Sequence, residues 1–120
     1  MRVLVVDAAN VVGSRPDGWW RDRAGAATRL HEQLAAADLP YDEVVLVLEG
    51  KARAGRPAGH DGRIRTVHAP GDGDDAIVDA VTERTDATEI LVVTADRALQ
   101  HRVETAGAQS AGPSWLLDRL

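Results

Sequence analysis

Four acids, Asp7, Glu49, Asp74 and Asp96, stand immediately after short β-branched runs or at the start of the helical segments beside them. Carboxylates are hard oxygen donors suited to Mg²⁺ or Mn²⁺. Crowded together without a cation they repel one another, their pKa values rise, and the fold loses stability. A divalent cation removes that conflict. One or two such ions can also activate a water and stabilise the phosphate oxyanions of an in-line hydrolysis. The chemistry to look for is therefore metal-dependent cleavage of a phosphate ester, provided that the fold brings these acids to one place.

The surrounding pattern predicts that it does. Residues 2–6 (Arg-Val-Leu-Val-Val) form an apolar run ending at Asp7, as a strand buried on both faces would. Residues 11–19, with Gly13, Ser14, Pro16 and Gly18, read as a loop. A helix is predicted over 21–37, with Leu30 and Leu34 at helical spacing and Leu39-Pro40 as its stop. Residues 43–48 make a second buried strand, closed by Glu49-Gly50. Residues 50–62 read as a flexible basic loop. Residues 63–68 alternate as an edge or half-exposed strand does. After the turn at 70–73, a helix over 74–85 carries Ile77, Val78 and Val81 as its apolar stripe. A strand at 89–93 leads to a helix over 96–106 with Leu99 and Val103 inward and Gly107 as its stop. A brief strand near 108–110 and a last helix carrying Trp115, Leu116 and Leu117 complete the order.

Strands that alternate with helices imply right-handed crossovers and a mainly parallel sheet. The expected class is α/β, three layers, with helices on both faces of the sheet. Ligands of such sheets gather at the carboxyl ends of the strands, near the switch point. Asp7, Glu49 and Asp96 all fall on that edge, and Asp74 opens the helix that begins there. Asp75 and Asp79 lie on the adjacent helix face. Each acid also has a plainer reading, since Asp is favoured at strand ends and helix caps and on solvated helix faces. The joint arrangement is harder to explain by capping alone.

Length and composition set the bounds. The chain has 120 residues, which fits a single domain spanning 1–120. It lacks cysteine, so disulfides and thiolate metal sites are excluded. Phe is absent, so the core must be mostly aliphatic. The opening MRVLVVDAAN is too short an apolar run for a signal peptide, and no stretch approaches a membrane span; a cytoplasmic protein without membrane contact is expected. The formal net charge of -5 argues against a generic nucleic-acid coat but not against a nuclease, because site acids count towards it.

A nucleic-acid substrate must meet positive charge. One candidate segment holds Arg15, Trp19, Trp20, Arg21 and Arg23; another holds Lys51, Arg53, Arg56, His60 and Arg63. Arg and Lys would neutralise phosphates, and an exposed Trp would stack on an unpaired base. Either Trp could instead staple the start of the first long helix. Arg97, next to Asp96, could reach a phosphate or hold an acid in place. His31 and His101 read as surface or partly packed helix residues, and His68 lies near the site without an assigned role.

Four segments in order resemble the NYN domains of the PIN-like nuclease superfamily, closest to the YacP-like branch. They are Val-Val-Asp-Ala-Ala-Asn (5–10), Val-Leu-Val-Leu-Glu-Gly (45–50), Gly-Asp-Gly-Asp-Asp-Ala-Ile (71–77) and Val-Val-Thr-Ala-Asp-Arg-Ala-Leu (92–99). Ala8 stands where that family has Gly, and Glu49 where it more often has Asp; neither change removes an acid. The resemblance implies a PIN-like fold and a Mg²⁺- or Mn²⁺-dependent ribonuclease, an endoribonuclease acting on RNA. It implies Asp7, Asp74 and Asp96 as core acids and metal ligands, and Asn10 as the residue positioning the first acid or the phosphate. Asp75 is implied as a further ligand, with Glu49 and Asp79 as additional acids. Arg15, Trp19, Arg21, Lys51, Arg53, Arg56 and Arg97 are the substrate-contact candidates. A homodimer, or association with a ribosome or protein partner, is compatible with a small domain that has an open sheet edge. The rival is a PIN-like module that binds RNA or protein without cutting. A haloacid-dehalogenase-like phosphatase would need Asp-x-Asp where this chain has Asp7-Ala-Ala-Asn10, and a receiver domain would need a late lysine where the only lysine is Lys51.

Overall fold

The computed structural model describes residues 1–120 and builds one six-stranded sheet. In chain order the elements are β1 (Arg2–Asp7), α1 (Ala8–Gly13), α2 (Arg23–Ala36), β2 (Glu43–Leu48), β3 (Gly59–Asp61), β4 (Ile64–His68), α3 (Gly73–Thr82), β5 (Glu89–Val93), α4 (Arg97–Thr105), β6 (Gln109–Ala111) and α5 (Pro113–Leu117). Short 3-10 turns occupy Trp19–Arg21 and Gly50–Gly55. The strand order is β3-β4-β2-β1-β5-β6, parallel throughout except for the antiparallel β3–β4 pair.

β1 is central, and its apolar run explains why. Leu4 and Val6 point into one aliphatic core with α1, α2 and α5, while Val3 and Val5 point into the other with α3 and α4. Val3, Leu4, Val5 and Val6 are all fully buried. A strand covered on both faces needs apolar residues at every position, not alternate ones. The three layers are thus α1, α2 and α5, the sheet, and α3 and α4. Tyr41 is the one buried aromatic; the remainder of the core is Val, Leu, Ile and Ala.

β1 and β5 are neighbours whose following helices pack on opposite faces of the sheet, which makes their carboxyl ends the switch point. The register Val6↔Val93 sets Asp7 level with Thr94. Asp7 also pairs with Val47 of β2, two residues before Glu49. Sheet register alone therefore brings three chain segments together.

The sequence expectations hold for the main strands and long helices, with the following corrections. Residues 8–13 are helical, not the start of a loop: Asp7 caps the turn by accepting from Asn10 N. The supposed flexible loop at 50–62 is ordered: its first half is a 3-10 turn and its end is β3, folded back on β4. β4 is consequently internal, flanked by β2 and β3. His31 is buried, not superficial, with 2 % of its surface exposed. The α3 stripe runs through Ile77, Ala80 and Val81, while Val78 is only half-buried. At the end of α4, Gly107 takes φ +99, a left-handed conformation that glycine adopts without cost.

The position of α3 depends on one ion pair. Arg84, just past its last turn, donates to Glu43 Oε1 at 2.7 Å and Oε2 at 3.1 Å, and to the Ala80 carbonyl at 2.9 Å. The Arg84 side chain is 9 % exposed, so the pair is largely shielded from water. It ties the carboxyl end of α3 to the start of β2 and fixes the direction in which its amino end points. Removing one partner of such a pair leaves the other charge stranded. Arg84→Leu is expected to cost about 2–4 kcal/mol in denaturant unfolding, and Glu43→Leu with Arg84→Leu to recover part of that loss. An unchanged midpoint in the single variant would contradict this role.

Candidate active site

Asp7 sits at the carboxyl end of β1 and is 4 % exposed. Its Oδ2 accepts from Asn10 Nδ2 at 2.7 Å and from Thr94 Oγ1 at 2.8 Å. Its Oδ1 receives only a long contact, 3.5 Å, from Asn10 N. One oxygen is held by the protein, and the other keeps lone pairs for a ligand. Asn10 has its amide orientation fixed from both ends, because Oδ1 accepts from Ala95 N at 3.2 Å. Thr94 Oγ1 in turn accepts from Asp96 N at 3.2 Å. Asp96 caps α4 through a 3.1 Å bond from Leu99 N. Gln100 Nε2 donates to the Thr94 carbonyl at 2.8 Å. The ends of β1 and β5 are thereby joined by one polar network.

The second half of the site comes from β2 and α3. Glu49 Oε2 accepts from Gly73 N at 2.8 Å, at the first turn of α3. Asp72 caps that helix, accepting from Asp74 N at 3.0 Å. No hydrogen bond fixes the Asp74 carboxylate, whose surroundings are burial and neighbouring charge.

The acids sense one another. Burial raises the pKa of Asp7 above the ordinary carboxylate value; Asp74 adds to the rise, and the bonds from Thr94 and Asn10 oppose it. Glu49 is raised by burial and then by Asp7, Asp72 and Asp74, against the Gly73 N–H. Asp74 is raised by burial, Asp72, Asp96 and Asp75, with Arg102 opposing. This is the mutual repulsion that a cation would relieve.

The donor set is all-oxygen and suits a hard cation. Asp7 Oδ1 and the Asp74 carboxylate are its most available donors. In the present side-chain arrangement, however, no three acid or imidazole groups converge on one point as a ready-made metal site. Mg²⁺ commonly keeps several waters and needs few direct protein ligands, so one or two of these carboxylates would be enough to hold it, with water completing its shell.

The structure thus gathers Asp7, Asn10, Glu49, Asp74 and Asp96. It does not gather Asp75, whose side chain is 86 % exposed and paired with Arg102 at 3.0 Å. Asp79 lines a separate shallow depression with Arg65, His68 and Arg84. Of the substrate candidates, Trp19 lines a cleft beside Glu49 and Asp72, and Arg97 is exposed one residue from Asp96. Lys51 and Arg21 are exposed, and Arg15 is half-buried. Arg53 is engaged by the Gly50 and Ala69 carbonyls, and Arg56 by Asp61 at 2.7 Å, so both serve the loop's own structure. Of the two Trp residues that could staple the helix start, Trp20 is 57 % exposed and Trp19 is the one packed against the core.

Two participants were not singled out from sequence. Thr94 was visible only as the hydroxyl between a strand and a capping Asp, a pattern that gives no reach across the sheet. Asp72 was the first of three acids in Gly71-Asp-Gly-Asp-Asp75, and nothing in the run says which one caps the helix.

No protein-family model matches the chain, and no curated protein matches it. A solved structure does: Rae1 (YacP) from Bacillus subtilis, in its W164L mutant form, superimposes with a TM-score of 0.78 over 98 % of this chain and 74 % of that one, at 21 % identity. At that identity the likeness establishes the fold. The architecture is the fold of Rae1 (YacP), in agreement with the fold that the YacP-like resemblance of the four segments implies.

Two outcomes follow for the metal-free protein. Asp7, Glu49 and Asp74 bind protons more tightly folded than unfolded, so folding takes up protons above about pH 4, and their contribution falls as pH rises through the raised values. Glu43, held below its usual value by Arg84, acts in the opposite sense at lower pH. In chelator, Asp7→Asn is therefore expected to raise the melting temperature at pH 7 and to flatten its decline as pH rises above the ordinary carboxylate range, relative to wild type. Superimposable melting curves would show that the acids are not in conflict. Thr94→Val removes a donor to Asp7 and an acceptor for Asp96 N, and is expected to cost about 1–3 kcal/mol in chemical denaturation.

Proposed function

On the premise that this chain carries the fold of Rae1 (YacP), we propose that it is a Mg²⁺- or Mn²⁺-dependent ribonuclease that cuts RNA internally. The single observation that supports this most is the lightly engaged Oδ1 of Asp7, whose Oδ2 is held by Asn10 and Thr94, among acids whose proton affinities are raised by burial and by one another. A bound divalent cation would supply an activated water and neutralise charge on the phosphate.

The chain's own groups divide the remaining work. Asp7 and Asp74 are the proposed primary ligands, with Asp96 and Glu49 at the margin, positioned to hold the ion through water. Asn10 and Thr94 orient Asp7 and keep its second oxygen directed to the site. Arg97 and Lys51, with Arg15 and Arg21 on the opposite segment, offer cations to the phosphates on either side of the cut. The switch-point crevice positions the phosphodiester against these acids without requiring a lid.

The spacing of the acids keeps a second reading in play, because no three of them form a preassembled metal site. In that reading the domain binds RNA and does not cut it.

Cleavage of a labelled RNA of mixed single- and double-stranded structure decides between them. With Mn²⁺ or Mg²⁺, the wild type is expected to give discrete internal products. Asp7→Asn and Asp74→Asn are each expected to lose about 100-fold or more in rate, corresponding to several kcal/mol of lost charge stabilisation. Asn10→Ala and Thr94→Val are expected to lose about 10- to 100-fold, as supports of a ligand. Asp75→Asn is expected to cut normally. Binding that persists in chelator with no product under either metal would favour the binding module.

A further inference from the structure

Beside the carboxylates lies a cleft of about 370 Å³ that the proposed hydrolysis does not use. Its walls are Ala8, Ala9 and Val12 of α1, Ala27 of α2, and Ala52 of the 3-10 turn after β2; Trp19 and Arg23 close one side, and Glu49 and Asp72 close the side facing the site. We propose that this cleft receives one unpaired nucleobase of the RNA strand, next to the phosphodiester at the carboxylates. The inference rests on the ribonuclease reading for its position, but not for its existence as an RNA contact.

The lining has the shape and chemistry for a flat ring. Four of its residues are alanines, so backbone and methyl groups form a shallow, smooth surface. Trp19 supplies the aromatic wall. Its indole backs onto α1, where a Cβ on Gly13 would lie 3.8 Å from Trp19 Cζ2. The Arg23 guanidinium sits 5.4 Å from the Trp19 ring centroid, and the Trp20 ring meets it edge-on with centroids 6.0 Å apart. An indole with a guanidinium over its ring makes a planar, polarised stack that a further ring can extend, which suits every base.

The cleft is also rigid. The turn carrying Ala52 is pressed against α2: Thr28 Oγ1 donates to the Gly55 carbonyl at 2.7 Å, and a Cβ on Gly55 would collide with the Ala24 carbonyl oxygen. Arg53 closes the same turn onto the Gly50 carbonyl at 3.1 Å. A preformed surface loses little entropy when a ring enters.

Charge selects the occupant. Arg23 shares its segment with the exposed Arg21 and the half-buried Arg15, which fits a ligand carrying a phosphate on that side of its ring, away from Glu49 and Asp72. An apolar peptide side chain would make no use of those cations. A base in a duplex is stacked and paired and cannot enter without leaving its helix, so the cleft reads single strands.

The test is binding, kept separate from cleavage. Fluorescence anisotropy would follow a labelled single-stranded oligoadenylate, in excess chelator, with the full chain. Trp19→Ala is expected to weaken binding about 5- to 100-fold, the range for one stacked base. Trp19→Phe is expected to retain most of the affinity, and Trp20→Ala all of it. A duplex of the same length is expected to bind wild type more weakly and to show no dependence on Trp19. Circular dichroism of Trp19→Ala guards against unfolding, and the Trp19→Phe result does not depend on it. If wild type and both Trp19 variants bind the single strand alike, or if duplex is preferred, the base subsite is wrong and the cleft is left to a protein side chain. If Trp19 governs binding but no metal yields cleavage, the subsite stands and the ribonuclease reading falls.

Discussion

The site is organised around a carboxylate that the fold buries and then only half satisfies. Asp7 terminates the central strand, where both faces are covered and water is excluded. A buried charge with unfilled lone pairs is costly unless it is protonated or matched. Thr94 and Asn10 match one oxygen. The other receives only the long 3.5 Å contact from Asn10 N, and the neighbouring charges are further acids. A sheet that needed Asp7 only to cap α1 would gain nothing from gathering Glu49, Asp72 and Asp74 around it.

Much of this was legible in the residues, and the reasons are specific. After their charged first residues, Arg2, Glu43 and Glu89, the runs at 2–6, 43–48 and 89–93 are apolar at every position, which only a doubly covered strand explains. Once they are parallel, the acids at their ends must share an edge. What was not legible depended on cross-chain bonds. Helix α1 has six residues and two valines, too short and too β-branched to announce itself, yet it turns Asp7 from a strand end into a helix cap. Strand β3, Gly59–Asp61, has no apolar residue and is fully exposed, so only its pairing with β4 defines it. Asp75 and Asp79 illustrate the opposite failure. They sit in the right helix, but its rotation, fixed by Ile77, Ala80 and Val81 against the sheet, turns them outward.

Charge geography reconciles an acidic chain with the proposed nucleic-acid substrate. Asp7, Glu49, Asp74 and Asp96 lie together at the crevice between the strand ends. The free cations flank it, with Arg15, Arg21 and Arg23 on one segment, Lys51 on the next turn and Arg97 at the start of α4. Arg84, Arg56 and Arg63 are absorbed into the scaffold by Glu43, Asp61 and the carbonyls of Ala37 and Leu39. The net charge therefore says little about the field that a substrate would meet.

The central claim is that the free oxygen of Asp7 and its acidic neighbours exist to hold a divalent cation. Titration of Mn²⁺ into the protein, followed by the loss of the free-ion electron paramagnetic resonance signal, tests it without any substrate. Saturable binding to wild type and to Asp75→Asn, abolished in Asp7→Asn and in Asp74→Asn, is the result this structure predicts. Equal binding by wild type and Asp7→Asn, or none by the folded wild type, would contradict it.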